Sequence, residues 1–338
     1  MHRALFAVEK DGSRVGCGLC AHHCQLEEGE YGRCGVRLNR EGRLYSLVYG
    51  RLVARHIDPV EKKPLFHVLP GSLSYSIATV GCNFSCLHCQ NSSISQPGRI
   101  DPCHIPGEAV SPDQVVAAAM DGGCHSISYT YVEPTIFFEF ARDCMVLGRE
   151  RGLKNIFVSN GFMSEKAAGM AATCGLDAIN IDIKSFRDEF YREICSARLP
   201  PVLETVKRMK ALGVWVEVTT LLIPGLNDSD EELTKIAEFL VGVDPAIPWH
   251  VTGFYPTYRL TDRPPTPSST LRRAVTIGQR TGLQYVYPGN APGNGGENTL
   301  CPSCGSELIS RSGFSVRANH LQAGGCPACG GSIPGIWV

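Results

Sequence analysis

No stretch of this sequence approaches the roughly 18 consecutive apolar residues of a membrane-crossing helix. Its first residues, MHRALFAVEKDGSRVG, lack the apolar run of an export signal and are interrupted by charges. A cytoplasmic chain with no membrane partner is therefore expected. There is no excess of charge either: 32 Lys and Arg stand against 33 Asp and Glu, a formal net charge of -1. Phosphate-backbone binding draws on clustered positive charge, so nothing here favours a nucleic-acid partner. Hydrophobic residues make up 43% and charged residues 19% of the 338. That balance suits one large α/β body with an ordinary core and small appendages.

What the chain has is cysteine, 16 in all. The export signal and small size that accompany disulfide frameworks are missing, so the thiols call for another reading. All but Cys103, Cys124, Cys144, Cys174 and Cys195 fall into three tight groups. These are Cys17, Cys20, Cys24 and Cys34; Cys82, Cys86 and Cys89; and Cys301, Cys304, Cys326 and Cys329. Tight grouping reads as metal ligation. The five outside the groups read as small buried hydrophobes.

Strand patterns at 75–80, 126–129, 155–159, 178–183, 214–222 and 250–254 alternate with helix patterns at 112–120, 135–151, 165–174, 201–212, 229–240 and 268–282. Repeated strand-helix units imply right-handed crossovers and a parallel sheet. A full or partial β/α barrel and a doubly wound open sheet both satisfy the spacing. In either case chemistry belongs at the carboxyl ends of the strands, where Cys82, Glu133, Asn160, Asp182 and Lys184 fall. Residues 1–70 read as an amino-terminal Cys-rich extension, 71–290 as the core and 299–338 as a carboxy-terminal unit. The Gly/Asn/Pro-rich run at 288–298 reads as a linker.

The central group is Cys82-Asn83-Phe84-Ser85-Cys86-Leu87-His88-Cys89, C-x3-C-x2-C, directly after a strand. Three soft thiolates on one short loop can converge on an iron-sulfur cubane and leave its fourth iron open to a small molecule. The second C-x2-C knuckle of a zinc site is missing. Zinc with His88 as fourth ligand is thus the weaker alternative. The last group does have two knuckles, Cys-Pro-x-Cys-Gly twice, as a zinc ribbon would: a closed, structural S4 site. Iron suits the same geometry. The first group, C-x2-C-x3-C-x9-C, is less regular. Zinc and an auxiliary [4Fe-4S] cluster both suit it, and His22 or His23 can replace a thiol there. His250 opens the last strand pattern as a candidate for hydrogen bonding or proton transfer at the cofactor or substrate.

The C-x3-C-x-aromatic-C spacing resembles the signature of the radical S-adenosylmethionine (SAM) superfamily. His88 stands where an aromatic residue is usual, as in the branch of glycyl-radical enzyme activases. The resemblance implies a partial (β/α)6 barrel and a [4Fe-4S] cluster on Cys82, Cys86 and Cys89. It implies SAM bound through its amino and carboxylate groups to the open iron, and an external one-electron donor. Reductive cleavage would then yield a 5'-deoxyadenosyl radical that abstracts hydrogen from a substrate. It further implies that Glu133, Asn160, Asp182 and Lys184 surround the cofactor. Glu133-Pro134 matches a usual Gly-Gly-Glu-Pro, with Tyr131-Val132 in place of the glycines. Asp182-x-Lys184 matches an Asp-x-Lys of the activases, and Ile223-Pro224-Gly225 through Asp228 a loop bordering the adenosine pocket.

The ferredoxin insert of many activases is absent, since residues 92–110 hold only Cys103. The full layout, with Gly32 to Arg37, Asp58 to Leu65 and the ribbon, resembles the radical SAM protein of the AmmeMemoRadiSam system. That implies AMMECR1-like and Memo-like partner proteins and a protein or peptide substrate. Gly253, Tyr255 and Thr257 replace an Arg, a His and an Asp of that family's pattern. A glycyl-radical activase and a non-enzymatic, metal-stabilised scaffold are the alternatives.

Overall fold

The order of strands in the main sheet decides between the two architectures. The computed structural model describes residues 1–96, 98, 101–290 and 295–338. Its largest sheet has eight strands. They are β1 (Ala54–Pro59), β2 (Leu73–Ala78), β3 (Ser126–Tyr129), β4 (Lys154–Ser159), β5 (Ala178–Asp182), β6 (Trp215–Leu222), β7 (Trp249–Gly253) and β8 (Val286–Gly289). Each lies beside its sequence neighbour. A doubly wound sheet reverses its strand order partway across, and this one never does. From β2 to β8 every pairing is parallel, while β1 joins β2 antiparallel. β1 and β8 are the sheet's two edges, which makes it a partial barrel.

The connecting helices are α1 (Pro112–Asp121), α2 (Phe138–Glu150), α3 (Glu165–Thr173), α4 (Leu199–Ala211), α5 (Asp230–Val243) and α6 (Ser268–Thr281). Serines start three of them: Ser111 in a capping box with Gln114, Ser164 and Ser229. α2 buries Phe138, Phe140, Ala141, Cys144 and Met145. Each large apolar side chain so covered contributes about 1.5–3 kcal/mol. The expected helix at 135–151 is a 3-10 turn over Pro134–Phe137 followed by α2. Cys124, Cys144 and Cys195 are buried, as small hydrophobes should be. Cys174 is half-buried and Cys103 exposed, so that reading does not hold for these two. Of the 288–298 run, residues 291–294 lie outside the described residues.

Two small antiparallel sheets precede the barrel. Ala7–Glu9, Val15–Cys17 and Gln25–Leu26 form one; His2–Arg3, Arg43–Ser46 and Arg37–Arg40 form the other. They are tied to α2 by a buried ion pair between Arg37 and Glu139, each 1% exposed, and by Leu5 N–H donating to Glu139 at 2.7 Å. A third sheet, Thr299–Leu300, Glu307–Ser312 and Ser315–Asn319, carries the last cysteines. It is joined to the barrel through buried polar groups. Glu217 on β6 accepts the backbone N–H of Phe66 (3.0 Å) and His67 (2.8 Å) and pairs with His250 at 2.6 Å. His67 Nδ1 donates to the Pro334 carbonyl at 2.8 Å, which leaves Nε2 to accept from the Tyr287 hydroxyl at 2.7 Å. Arg311 donates to the Phe66 carbonyl at 2.7 Å and lies over the Phe66 ring.

Both ring nitrogens of His67 thus suit the neutral form, and burial holds its pKa down to about 4. The unfolded imidazole takes its proton near 6.5. Between these values the unfolded state binds more protons, so stability falls as pH drops from about 6.5 toward 4. The full shift amounts to ~3 kcal/mol. Urea titrations of wild type and His67→Gln across this window should show a shallower decline in the variant. Identical slopes would mean that His67 does not titrate in this way.

Candidate metal centre and cofactor cavity

The central cysteines leave β2 through Gly81, where φ is +96°. A Cβ there would lie 2.6 Å from Val36 Cγ1 and 2.8 Å from the Cys34 carbonyl oxygen. Only glycine fits so close an approach in that conformation. The loop beyond is held from several sides. Ser85 N–H donates to the Cys195 carbonyl (3.0 Å) and Leu87 N–H to that of Ile194 (2.9 Å). Gln96 donates to the Phe84 carbonyl at 2.9 Å. Phe84 itself is buried edge-on against Phe162 and Tyr191. With this aromatic anchored inward, Cys82, Cys86 and Cys89 line one cavity of about 770 Å³ at the carboxyl ends of the strands.

The donor set fits an iron-sulfur cluster. Phe84 N–H reaches Cys82 Sγ at 3.4 Å and the Ser95 hydroxyl lies 3.1 Å from Cys89 Sγ, contacts that favour thiolates. Among the described residues, the only three or more candidate ligand atoms lying within 4.8 Å of one another belong to the ribbon. The central sulfurs are therefore spread wider than a single ion requires. His88 Nδ1 is buried in the cavity wall without a hydrogen-bond partner. Burial and then the charge of Lys184 hold the His88 pKa down to about 3, so the ring is neutral.

Glu133, Asn160, Asp182, Lys184 and His250 all line this cavity. Their polar atoms differ in what remains free. The Glu133 carboxylate accepts from Thr135 N–H (3.1 Å), the Thr135 hydroxyl, the Ser159 hydroxyl (2.9 Å) and Asn160 N–H (2.7 Å). It caps the turn at Pro134–Phe137 and fastens the ends of β3 and β4 together. Burial pushes its carboxyl above the usual range despite these donors. Asn160 accepts from Phe162 N–H at 3.0 Å and donates to Asn83 Oδ1 at 2.7 Å, with Cys82 Sγ 4.0 Å away. It therefore steadies the cysteine loop.

Lys184 Nζ pairs with Asp182 at 2.8 Å. Burial is the largest single influence and works against its charge, but Asp182 together with the nearby Cys86 and Cys195 keeps the ammonium well above its ordinary pKa. The Asn227 side chain accepts from Ile223 N–H (2.6 Å) and donates to the carbonyls of Leu221 (2.8 Å) in its own turn and of Lys184 (2.6 Å) beyond β5. His250 has one ring nitrogen engaged by Glu217.

Asp58, Lys63 and Tyr131 form a cluster whose role their positions in the sequence do not announce. Tyr131 has φ +63°, the left-handed region, at one of the two positions where a glycine was expected. The conformation costs a non-glycine residue roughly 1–2 kcal/mol. It is held by the Tyr131 hydroxyl bonded to Asp58, by Lys63 Nζ 4.9 Å above the ring, and by Asn91 donating to the Tyr131 carbonyl at 2.8 Å. Asp58 also takes Lys62 (2.8 Å) and Lys63 (2.6 Å). Burial pushes its carboxyl up, yet these three donors hold it well below the usual range. Lys62, Lys63 and Tyr131 form part of the cavity wall.

The ribbon cysteines meet at 3.6 Å (Cys301–Cys329) and 3.7 Å (Cys304–Cys326). Zinc-thiolate bonds of about 2.3 Å in a tetrahedron place sulfurs ~3.8 Å apart. The four thiols therefore fit one ion.

Residues 76–240 match the model of the Radical SAM superfamily. Over 336 residues the chain is 44% identical to the uncharacterized protein MJ0808 of Methanocaldococcus jannaschii, covering 98% of this chain and 99% of that protein. It is 21% identical over 222 residues to the pyruvate formate-lyase 1-activating enzyme of Escherichia coli, covering 61% of this chain and 89% of that one. The crystal structure of Streptococcus suis SuiB bound to precursor peptide SuiA superposes with a TM-score of 0.52 at 16% identity, over 70% of this chain and 52% of that chain. This last likeness concerns the fold.

The strain at Tyr131 yields a measurable expectation. Tyr131→Phe keeps the ring but loses the bond to Asp58, and should lower unfolding stability by about 1–2 kcal/mol in urea titrations. Stability equal to wild type would show that the bond does not hold this turn.

Proposed function

Since the chain belongs to the radical SAM superfamily, we propose that it is an enzyme using its central cluster and SAM to abstract hydrogen from a protein or peptide substrate. One observation carries this reading: a single cavity brings Cys82, Cys86 and Cys89 together with side chains from the ends of the next three strands. Cys82, Cys86 and Cys89 would hold a [4Fe-4S] cluster, which when bound would supply the electron for reductive cleavage of SAM. The chain's own residues position and shield. Asn160 and the Glu133 clasp fix the loop that carries the thiolates. The Asp182–Lys184 pair offers opposite charges to the polar groups of SAM. The neutral His88 offers its unpartnered Nδ1. Lys62, Lys63 and Tyr131 form a polar wall within substrate reach.

A protein or peptide substrate is supported by the likeness of the cysteine motif to the activase branch. The same likeness, with the extended match to the Escherichia coli activating enzyme, favours a second reading in which the abstracted hydrogen comes from a partner's glycine. Electron-spin resonance after anaerobic incubation with a candidate partner separates the two, because only a glycyl radical persists on the partner. Membership of the AmmeMemoRadiSam family, with AMMECR1-like and Memo-like partners in the cytoplasm, is proposed from the full layout of motifs, from the first cysteine group to the ribbon. The extension over 1–70, core over 71–290 and ribbon over 299–338 are proposed as its three units. Zinc is proposed for the ribbon on its sulfur spacing.

Two variants test this. Reconstituted anaerobically, Cys89→Ala should lose 5'-deoxyadenosine formation while its circular dichroism stays close to wild type. Formation at the wild-type rate would remove Cys89 from the cluster. Cys326→Ser should lose the ribbon zinc and melt several degrees lower, as loss of a structural metal does. Unchanged zinc content would refute the ribbon assignment.

A further inference from the structure

The first cysteine group belongs neither to the cavity nor to the ribbon. We propose that Cys17, Cys20, Cys24 and Cys34 hold a second iron-sulfur cluster, of the [4Fe-4S] type, that passes electrons to the central one. The proposal rests on the reading of Cys82, Cys86 and Cys89 as the radical SAM cluster.

Four observations carry it. All four residues are free cysteines, two buried and two half-buried. Backbone pairing sets two of them side by side, with Cys17 N–H donating to the Cys24 carbonyl at 2.9 Å. Yet no three of their sulfurs come within 4.8 Å, whereas the ribbon's four all do. A tetrahedral zinc draws thiolates to ~3.8 Å, so the wider group suits a larger centre bridged by its own sulfides.

Second, tight turns carry the thiols. His23 N–H donates to the Cys20 carbonyl at 3.1 Å, and Gly35 N–H to the Gly32 carbonyl at 2.9 Å around Cys34.

Third, a buried cation attends the group. Arg37 is 1% exposed, its Nη1 lies 4.0 Å from Cys17 Sγ, and its Nε has no hydrogen-bond partner. Glu139 holds the guanidinium in place, oriented toward Cys17.

Fourth, the group lies directly against the central loop. The Cys34 carbonyl oxygen stands where a Cβ of Gly81 would collide, and Gly81 precedes Cys82. His22 Nε2 is 2.7 Å from the carbonyl oxygen of Asn83. Cys20 forms a β-bridge with Met163, just beyond Asn160. Half-buried Cys24 gives the group a solvent-facing side. One electron enters from a low-potential one-electron donor of the flavodoxin or ferredoxin class, which is oxidised. It reduces the outer cluster, then the central one. No bond or proton changes hands in the transfer.

The test uses the full chain, reconstituted anaerobically, with iron, sulfide and zinc quantitation and electron-spin resonance. Wild type should hold about eight irons, as two four-iron clusters do. The Cys82→Ala/Cys86→Ala/Cys89→Ala variant should keep about half of that iron, with a reduced-cluster signal of its own. Because that variant leaves the first group intact, it decides the matter even if Cys17→Ala/Cys20→Ala fails to fold. Where Cys17→Ala/Cys20→Ala folds, it should lose that signal and keep the central one. Reduced wild type should show broadened lines from two neighbouring paramagnets. An iron-free triple variant carrying a second zinc would overturn the proposal. A wild-type spectrum equal to the simple sum of the two variants would overturn the relay. If the central assignment alone were wrong, the triple variant would hold as much iron as wild type, and the outer cluster would stand by itself.

Discussion

The site depends on a close approach of two backbones. At Gly81 the chain leaves the barrel's first parallel strand with no room for a side chain, because Val36 and the Cys34 carbonyl occupy that space. This contact sets the direction of the cysteine loop. Asn160, reaching across from the end of β4 to Asn83, holds the loop's other side. Glu133 fixes Asn160 in turn through the backbone. A chain of short polar links thus carries the geometry of three successive strand ends into the placement of three sulfurs. Radical chemistry asks for such rigidity, since the protein's contribution is to orient the cofactor and exclude competing reactions.

Buried charge does the joining elsewhere. Arg37–Glu139 ties the amino-terminal sheets to α2. Glu217, with His250, His67, Tyr287 and Arg311 around it, ties the ribbon to β6, β7 and β8. Such groups add little net stability over apolar packing, because desolvation offsets their attraction. They do discriminate among docking positions, since a misplaced partner leaves a charge buried alone. Both appendages are held to one register by this means.

Much of this was legible in the sequence. The six expected strand patterns fall on β2 to β7 within a few residues, since buried parallel strands read as dense apolar runs between helix caps such as Ser111 and Ser229. The central cysteines and the ribbon knuckles announced themselves by spacing. What spacing could not supply was the barrel itself, because sequential and doubly wound sheets share one local pattern. β1 was missed: its ARHIDP is polar, as an antiparallel edge strand can afford to be. The Asp58–Lys63–Tyr131 cluster was missed for another reason. Its members are 73 positions apart at the Asp58–Tyr131 bond, and only the fold reveals that they meet. The glycines expected at Tyr131 and Val132 were informative even in their absence, for the left-handed turn is still there at Tyr131.

The cavity wall has a consequence for how the protein is made. Phe66 lies on it, and so does Phe314 from the ribbon hairpin. The Phe66 carbonyl is held by Arg311, 245 positions later in the chain. Contacts of such long sequence separation form late, after local elements are in place. During synthesis the β2 loop with its three thiols emerges well before the residues that finish the enclosure. The part of the wall that Phe314 supplies is therefore added only when the last segment of the chain is made.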